Sequence, residues 1–176
     1  MAKPTNLLEF KDRDQWRAWL EVNHTTKREA WLLIYKKKYL DLGLALEEAV
    51  EEALCFGWID GTLRTLDEQC YTLRFSPRTK NSIWSMSNIQ RVEKLIEEGK
   101  MTDAGQKKIA KAKENGQWQA AIRRESVDLL PKELEKALKE KELLANFRDL
   151  PDSLKKRYIY WLESAKKNET KLRRIE

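Results

Sequence analysis

Apolar positions along this 176-residue chain follow two different periods. Over the first hundred residues helical and extended patterns take turns, and beyond that the period is almost wholly helical. The order predicts an α+β fold: a small antiparallel sheet of about three strands packed with helices, followed by a helical C-terminal region. Asp12 with Gln15 has the form of a capping box, and Trp16, Trp19 and Leu20 then fall on one helical stripe through about Val22. Trp31, Leu32, Leu33, Ile34 and Tyr35 make a short apolar run that reads as a strand buried on both faces. Leu46, Ala49, Val50, Ala53 and Leu54 recur at helical spacing. Glu47, Glu48, Glu51 and Glu52 take the other side, which is expected to be solvated, and Gly57 follows as a stop.

Two extended stretches, about 57–65 and 70–76, flank Leu66, Asp67, Glu68 and Gln69 and predict a hairpin. Tyr71, Leu73 and Phe75 alternate with polar residues. On the partner strand Ile59, Gly61 and Leu63 are expected to face the core, leaving Trp58, Asp60, Thr62 and Arg64 on the other side. Apolar-on-apolar pairing restricts the register, and pairing Leu63 with Tyr71 sets Asp60 across from Arg74; the next permitted register leaves them diagonal.

Downstream, Ser82, Ser85 and Ser87 lead into a helix with Ile89, Val92, Leu95 and Ile96 on one face, capped by Ser85 with Asn88 or Ser87 with Gln90, and ending at Gly99. Thr102 caps the next, which has Ile109 inside and stops at Asn115 and Gly116. Helical patterns continue from Trp118 to about Leu130, after Pro131, and from Leu143 to Phe147. Pro151 opens a last helix whose stripe runs through Leu154, Tyr158, Trp161, Leu162, Ala165, Leu172 and Ile175. That stripe is still running at Glu176, so the natural chain is expected to continue. The organisation read from this pattern is an α+β region over 1–100, with the hairpin and the Ser-rich helix start, and a helical region over 101–176 packed on it as one globular unit.

Composition adds three constraints. Forty-one per cent hydrophobic residues with seven Trp support a packed core, and 36% charged residues suit many solvated helix faces. No apolar run approaches the length of a membrane span, residues 1–10 have no apolar core suited to secretion, and Cys55 and Cys70 with the single His24 form neither a disulfide framework nor a metal site. A cytoplasmic, reducing location without a metal or cofactor is the expectation. The formal charge of +6 lies entirely in the second half, and the last 22 residues hold 8 basic and 3 acidic side chains. A nucleic acid or other acidic partner held by the basic C-terminal helix is therefore the alternative reading.

The most informative constellation is Trp58, Asp60, Arg74, Arg78, Ser82, Trp84, Ser85 and Asn88, because it brings a polar sheet face, two guanidinium groups and a helix start into adjoining positions. Arginine forks and free N–H groups suit an anion, and the Trp rings offer stacking surface. Catalysis is a poor fit. Cys55 sits in the last turn of an acidic helix, where a thiolate is disfavoured, His24 stands at a helix end, and no glycine-rich phosphate loop exists.

Several stretches carry a family likeness: Ala53, Leu54, Cys55, Phe56, Gly57, Trp58, Ile59, Asp60 and Gly61; Arg74, Phe75, Ser76, Pro77 and Arg78; Ser82, Ile83, Trp84, Ser85 and Asn88; and Gly99, Lys100, Met101, Thr102 and Gly105. Trp19, Leu20, Asn23 and His24 upstream, and Tyr158, Trp161, Ala165, Lys166, Glu169 and Thr170 downstream, extend it. Together they resemble the YdeI or OmpD-associated family, also labelled bacteriocin-protection proteins. The resemblance implies a part in tolerance to bacteriocins or antimicrobial peptides and supplies no catalytic residues. The functional expectation is a cofactor-free binding protein, with no catalytic role assigned, for a small anionic or aromatic ligand at the eight residues named; the sequence does not set the oligomeric state.

Overall fold

In a computed structural model, residues 6–127, 130–165 and 167–175 are described. The chain divides into two compact units, residues 1–118 and 119–176.

The first unit is a four-stranded sheet with helices. Its strands are β1 (Leu7–Leu8), β2 (Ala30–Tyr35), β3 (Trp58–Thr65) and β4 (Cys70–Pro77), ordered β1-β2-β4-β3. The helices are α1 (Arg13–Asn23), α2 (Leu46–Cys55), α3 (Met86–Glu97) and α4 (Asp103–Glu114). The expected three antiparallel strands are therefore joined by a two-residue strand parallel to β2, which is too short to leave a periodic signal. The caps form where the sequence placed them: Asp12 accepts from the Gln15 N–H, Ser85 from the Asn88 N–H and Thr102 from the Gly105 N–H. Trp16, Leu20, Leu32, Ile34, Phe75 and Val92 are fully buried. Ile96, expected on the inner face of α3, is instead 47% exposed at that helix's last turn.

Two sequence expectations fail for physical reasons. In the hairpin, Leu63 pairs with Leu73 and Thr65 with Tyr71, but a bulge between Asp60 and Leu63 sets Asp60 opposite Phe75. An extra residue reverses the inward and outward parity of everything beyond it. Trp58, expected outside, is buried, edge-on to Trp19 with its indole N–H donating to the His24 carbonyl at 3.2 Å, while Leu63, expected inside, is 54% exposed on the edge strand.

The second concerns Glu52, placed by periodicity on a solvated face and in fact buried. Arg13 Nε donates to one of its oxygens at 2.9 Å, Arg17 Nη1 to the other at 2.8 Å, and Arg13 Nη2 adds a further contact. Arg17 Nη2 reaches the Lys100 carbonyl at 3.1 Å, so this cluster ties α1, α2 and the turn after α3 together. Burial pulls both guanidinium groups down in pKa, and the Glu52 carboxylate outweighs it and leaves them raised.

α4 docks on the C-terminal end of α2 at very close range. A Cβ on Gly105 would collide with the carbonyl oxygens of Cys55 and Leu54, the latter 2.8 Å away. The Cys55 carbonyl, orphaned by the helix end, accepts from the Thr102 hydroxyl at 2.6 Å and its N–H at 3.2 Å. Gly57, at φ +73°, turns the chain out of α2 into β3, and the stem of Lys108 passes over it.

The second unit is helical: α5 (Gln117–Glu125, whose first two residues fall before the division), α6 (Lys132–Glu140), α7 (Leu144–Arg148), α8 (Asp152–Glu163) and α9 (Asn168–Ile175). Of the helix expected from Trp118 to about Leu130, Asp128 and Leu129 lie outside the described residues, as do Lys166 of the family-like motif and Glu176. The single helix expected after Pro151 is two. Arg174 Nη1 donates to the Trp161 carbonyl and, at 2.9 Å, to the Ser164 hydroxyl, so α8 ends in side-chain caps and α9 packs back on it.

Removing one partner of a buried ion cluster leaves the others uncompensated. Glu52→Gln is expected to lower unfolding free energy in urea by about 3 kcal/mol, and Gly105→Ala by about 2–3 kcal/mol, each read from the transition midpoint at unchanged slope.

Candidate functional site

The eight residues singled out in the sequence divide into five groups. Trp58 belongs to the core. Ser85 caps α3 and meets the Ser87 hydroxyl at 3.0 Å, while buried Asn88 accepts from Arg91 Nη1 at 3.0 Å. Arg74 pairs across the sheet with Trp31 rather than lying beside Asp60, and its Nη1 donates to Glu29 at 3.1 Å. Asp60, opposite Phe75, is on the other face of the sheet. The expected cross-strand Asp60–Arg74 pair is thus undone by the same bulge that buries Trp58.

Arg78, Ser82 and Trp84 do come together. They line a hollow of about 140 Å³ with Thr79, Lys80, Lys108, Lys111, Ala112, Asn115 and Gln117. It is built by the segment leaving β4, by α4, and by the turn from α4 into the start of α5. Arg78 is held at both backbone ends, its N–H donating to Gly57 at 2.9 Å and its carbonyl accepting from Lys108 Nζ at 2.6 Å. Asn115 Nδ2 donates to the Lys80 carbonyl at 3.0 Å, which closes the far side. Ser82 folds the intervening turn by accepting from the Thr79 N–H at 2.9 Å.

The Arg78 side chain is 2% exposed. Its guanidinium carbon lies 3.8 Å from the centre of the Trp84 ring, which in turn packs against Trp118 at 5.2 Å. Nη1 donates to the Ile83 carbonyl at 3.3 Å, whereas Nε and Nη2 are buried and have no protein acceptor among the described residues. Those two nitrogens form one edge of the guanidinium, with two parallel N–H bonds suited to two oxygens of one anion. Burial pulls Arg78 down to a pKa of about 10, and the Asp60 carboxylate opposes this only in part. No carboxylate appears among the residues lining the hollow, whose walls carry Arg78 and three lysines.

Sequence reasoning missed Lys80, Lys108, Lys111, Asn115 and Gln117. Lys108 and Lys111 are three apart and so share a helix face, but α4 carries many lysines and its periodicity does not say which of them meets the hairpin. In the second unit a larger hollow of about 340 Å³ is lined mainly by Leu, Phe, Tyr and Trp side chains, and its guanidinium, Arg174, is engaged by Trp161 and Ser164. Among the cations near the C-terminus, Lys155, Lys156 and Lys171 pair with Asp152, Glu125 and Glu133.

Comparison with known families adds two matches. Residues 8–108, more than half of the chain, match the family described as a domain of unknown function (DUF8412). Residues 129–176 match the family described as bacteriocin-protection, YdeI or OmpD-associated. The likeness to the latter thus stands on the C-terminal residues, while the motifs between Ala53 and Gly105 fall inside the former match. No curated protein and no solved structure matches the chain. Among the described residues no helix is long and apolar enough to cross a membrane.

Cys55 and Cys70 are free and buried. Burial first, then the charge of Glu52, pushes the Cys55 thiol up to about 11. Burial and the hydrogen bond to Asp67 raise Cys70 as well. His24 is spent on its own helix end, with Nδ1 2.8 Å from the Leu20 carbonyl. A thiol of pKa about 11 is ionised in about one molecule in a thousand at pH 8. A chromogenic disulfide reagent is therefore expected to label neither cysteine of the folded protein at pH 8 and both in urea, and fast labelling of the native state would contradict this account.

Proposed function

The chain belongs to the DUF8412 domain family, and from that premise we propose that it is a cofactor-free binding protein for a small anion, received in the hollow beneath Arg78. One observation carries the reading: Arg78, whose guanidinium edge of two N–H donors is buried and has no acceptor among the described residues, lines a cavity whose other charged lining residues are lysines. Asp60 offsets the cost of the buried Arg78 charge only in part, and a buried donor without an acceptor adds roughly 1–3 kcal/mol. A bound anion relieves both.

Of the two ligand chemistries expected from the sequence, the anionic one is favoured here. The Trp84 ring is already covered by Arg78 and flanked by Trp118, so these aromatics serve to hold the guanidinium flat. Trp58, Asp60, Arg74, Ser85 and Asn88 act at a distance: Asp60 tempers the charge of Arg78, Ser85 and Asn88 begin α3, and Trp58 and Arg74 shape the sheet. A part in bacteriocin or antimicrobial-peptide tolerance, the role in the description of the family matched by residues 129–176, would be exercised through this binding. Free Cys55 and Cys70 support a reducing, cytoplasmic setting.

Trp84 and Trp118 supply the readout. Titration with phosphate, sulfate and acetate is expected to change Trp fluorescence saturably. Arg78→Met, which keeps the bulk against Trp84 and removes the fork, is expected to weaken binding at least tenfold, and Lys111→Gln severalfold. Because Arg78 is only partly compensated without ligand, Arg78→Met should leave unfolding free energy within about 1 kcal/mol of the parent. Identical titrations of parent and both variants would sink the proposal.

A further inference from the structure

Resting on the anion-binding reading above, we infer that the hollow beneath Arg78 takes a phosphate dianion, the Nε and Nη2 edge of Arg78 clasping two of its oxygens while Lys111 and Lys80 neutralise the rest.

The choice among anions follows from the number, kind and spacing of the donors. A carboxylate has two oxygens, and the Arg78 fork alone satisfies them. The cavity wall adds three ammonium groups, of which Lys108 has committed one N–H to the Arg78 carbonyl and keeps two. A monoanion would leave most of that positive charge unanswered, whereas a phosphate group presents further oxygens and a second charge.

Size agrees with a headgroup. A cavity of about 140 Å³ falls below the roughly 300 Å³ at which pockets begin to enclose a drug-sized ligand. The ligand is therefore inorganic phosphate or the phosphate end of a monoester whose remainder lies outside the hollow. These two share one chemistry and differ in what extends past Lys80 and Lys111, both exposed at the rim.

The charged groups facing the proposed anion are Arg78, Lys80, Lys108 and Lys111, with Asp60 acting on Arg78 from β3. Arg78 stays charged at neutral pH with its pKa of about 10, so the ligand's own titration carries the pH signature. A phosphomonoester has its second pKa near 6, so from pH 5 to 7.5 its dianion grows from about a tenth to nearly all of the population. Sulfate keeps its charge across that interval and serves as the control for titration of the protein.

The test is calorimetric and fluorescence titration of the full chain at pH 5 and pH 7.5 with glycerol 3-phosphate, inorganic phosphate, sulfate and acetate, in parent, Arg78→Met and Lys111→Gln. Glycerol 3-phosphate is expected to bind about tenfold more tightly at pH 7.5 than at pH 5, sulfate equally at both, and acetate more weakly than either. Tighter binding of the ester than of inorganic phosphate identifies a phosphorylated organic ligand; equal binding identifies phosphate itself, and either supports the inference. Acetate matching phosphate, or phosphate affinity as flat with pH as that of sulfate, overturns the dianion while leaving the anion site standing. If no anion binds the parent, both readings fall together. Lys111→Gln, on an exposed position, keeps the test decisive should Arg78→Met fold poorly.

Discussion

The first unit depends on one close approach, that of α4 to the C-terminal end of α2. Gly105 permits it by lacking a Cβ, and Thr102 rewards it by satisfying the Cys55 carbonyl twice over. Gly57 turns the chain away in a conformation that side chains rarely adopt, and Lys108 crosses it to reach Arg78. With a wider spacing between the helices, Lys108, Lys111, Ala112 and Asn115 would retreat together, and the hollow would lose one of its walls.

Two buried charges in this unit pose the same physical problem and receive opposite treatment. Glu52 is fully enclosed, and Arg13 and Arg17 each bring donors to it from α1. Its desolvation is offset by good geometry and several hydrogen bonds, and the outcome is structural cohesion. Arg78 is equally enclosed, yet it has a ring on one face, one carbonyl at Nη1 and, among the described residues, no acceptor at the other edge. The fold thus neutralises Glu52 thoroughly while leaving two buried donors of Arg78 without an acceptor among the described residues, and this contrast is what the proposed anion site rests on.

The bulge in β3 links the fold to the site. By reversing parity between Leu63 and Asp60 it sends Trp58 into the core against Trp19 and turns Asp60 away from Arg74. Arg74 is then free to pair with Glu29, and the Asp60 charge acts on Arg78 instead. A regular hairpin in the observed Leu63–Leu73 register would have put Asp60 on the same face as Arg74, diagonal to it.

Much was legible in the sequence because it is set within a few residues. The α+β order, the caps at Asp12, Ser85 and Thr102, the stop at Gly57 and the hairpin all follow from side chains acting on their own backbone neighbours. Arg78, Ser82 and Trp84 were legible as candidates for the same reason, since they lie in one short segment. The tertiary structure alone decided what depends on bodies docking across long separations. It set the parity of β3, the engagement of Glu52 with helix α1, the choice of Lys108 among many lysines as partner for a group thirty residues earlier, and the place of Lys111 in the wall of the hollow. A hydrophobic stripe states that a face is covered, but the angle and distance at which the covering element arrives depend on the whole core, and a displacement of one residue is enough to exchange inside for outside.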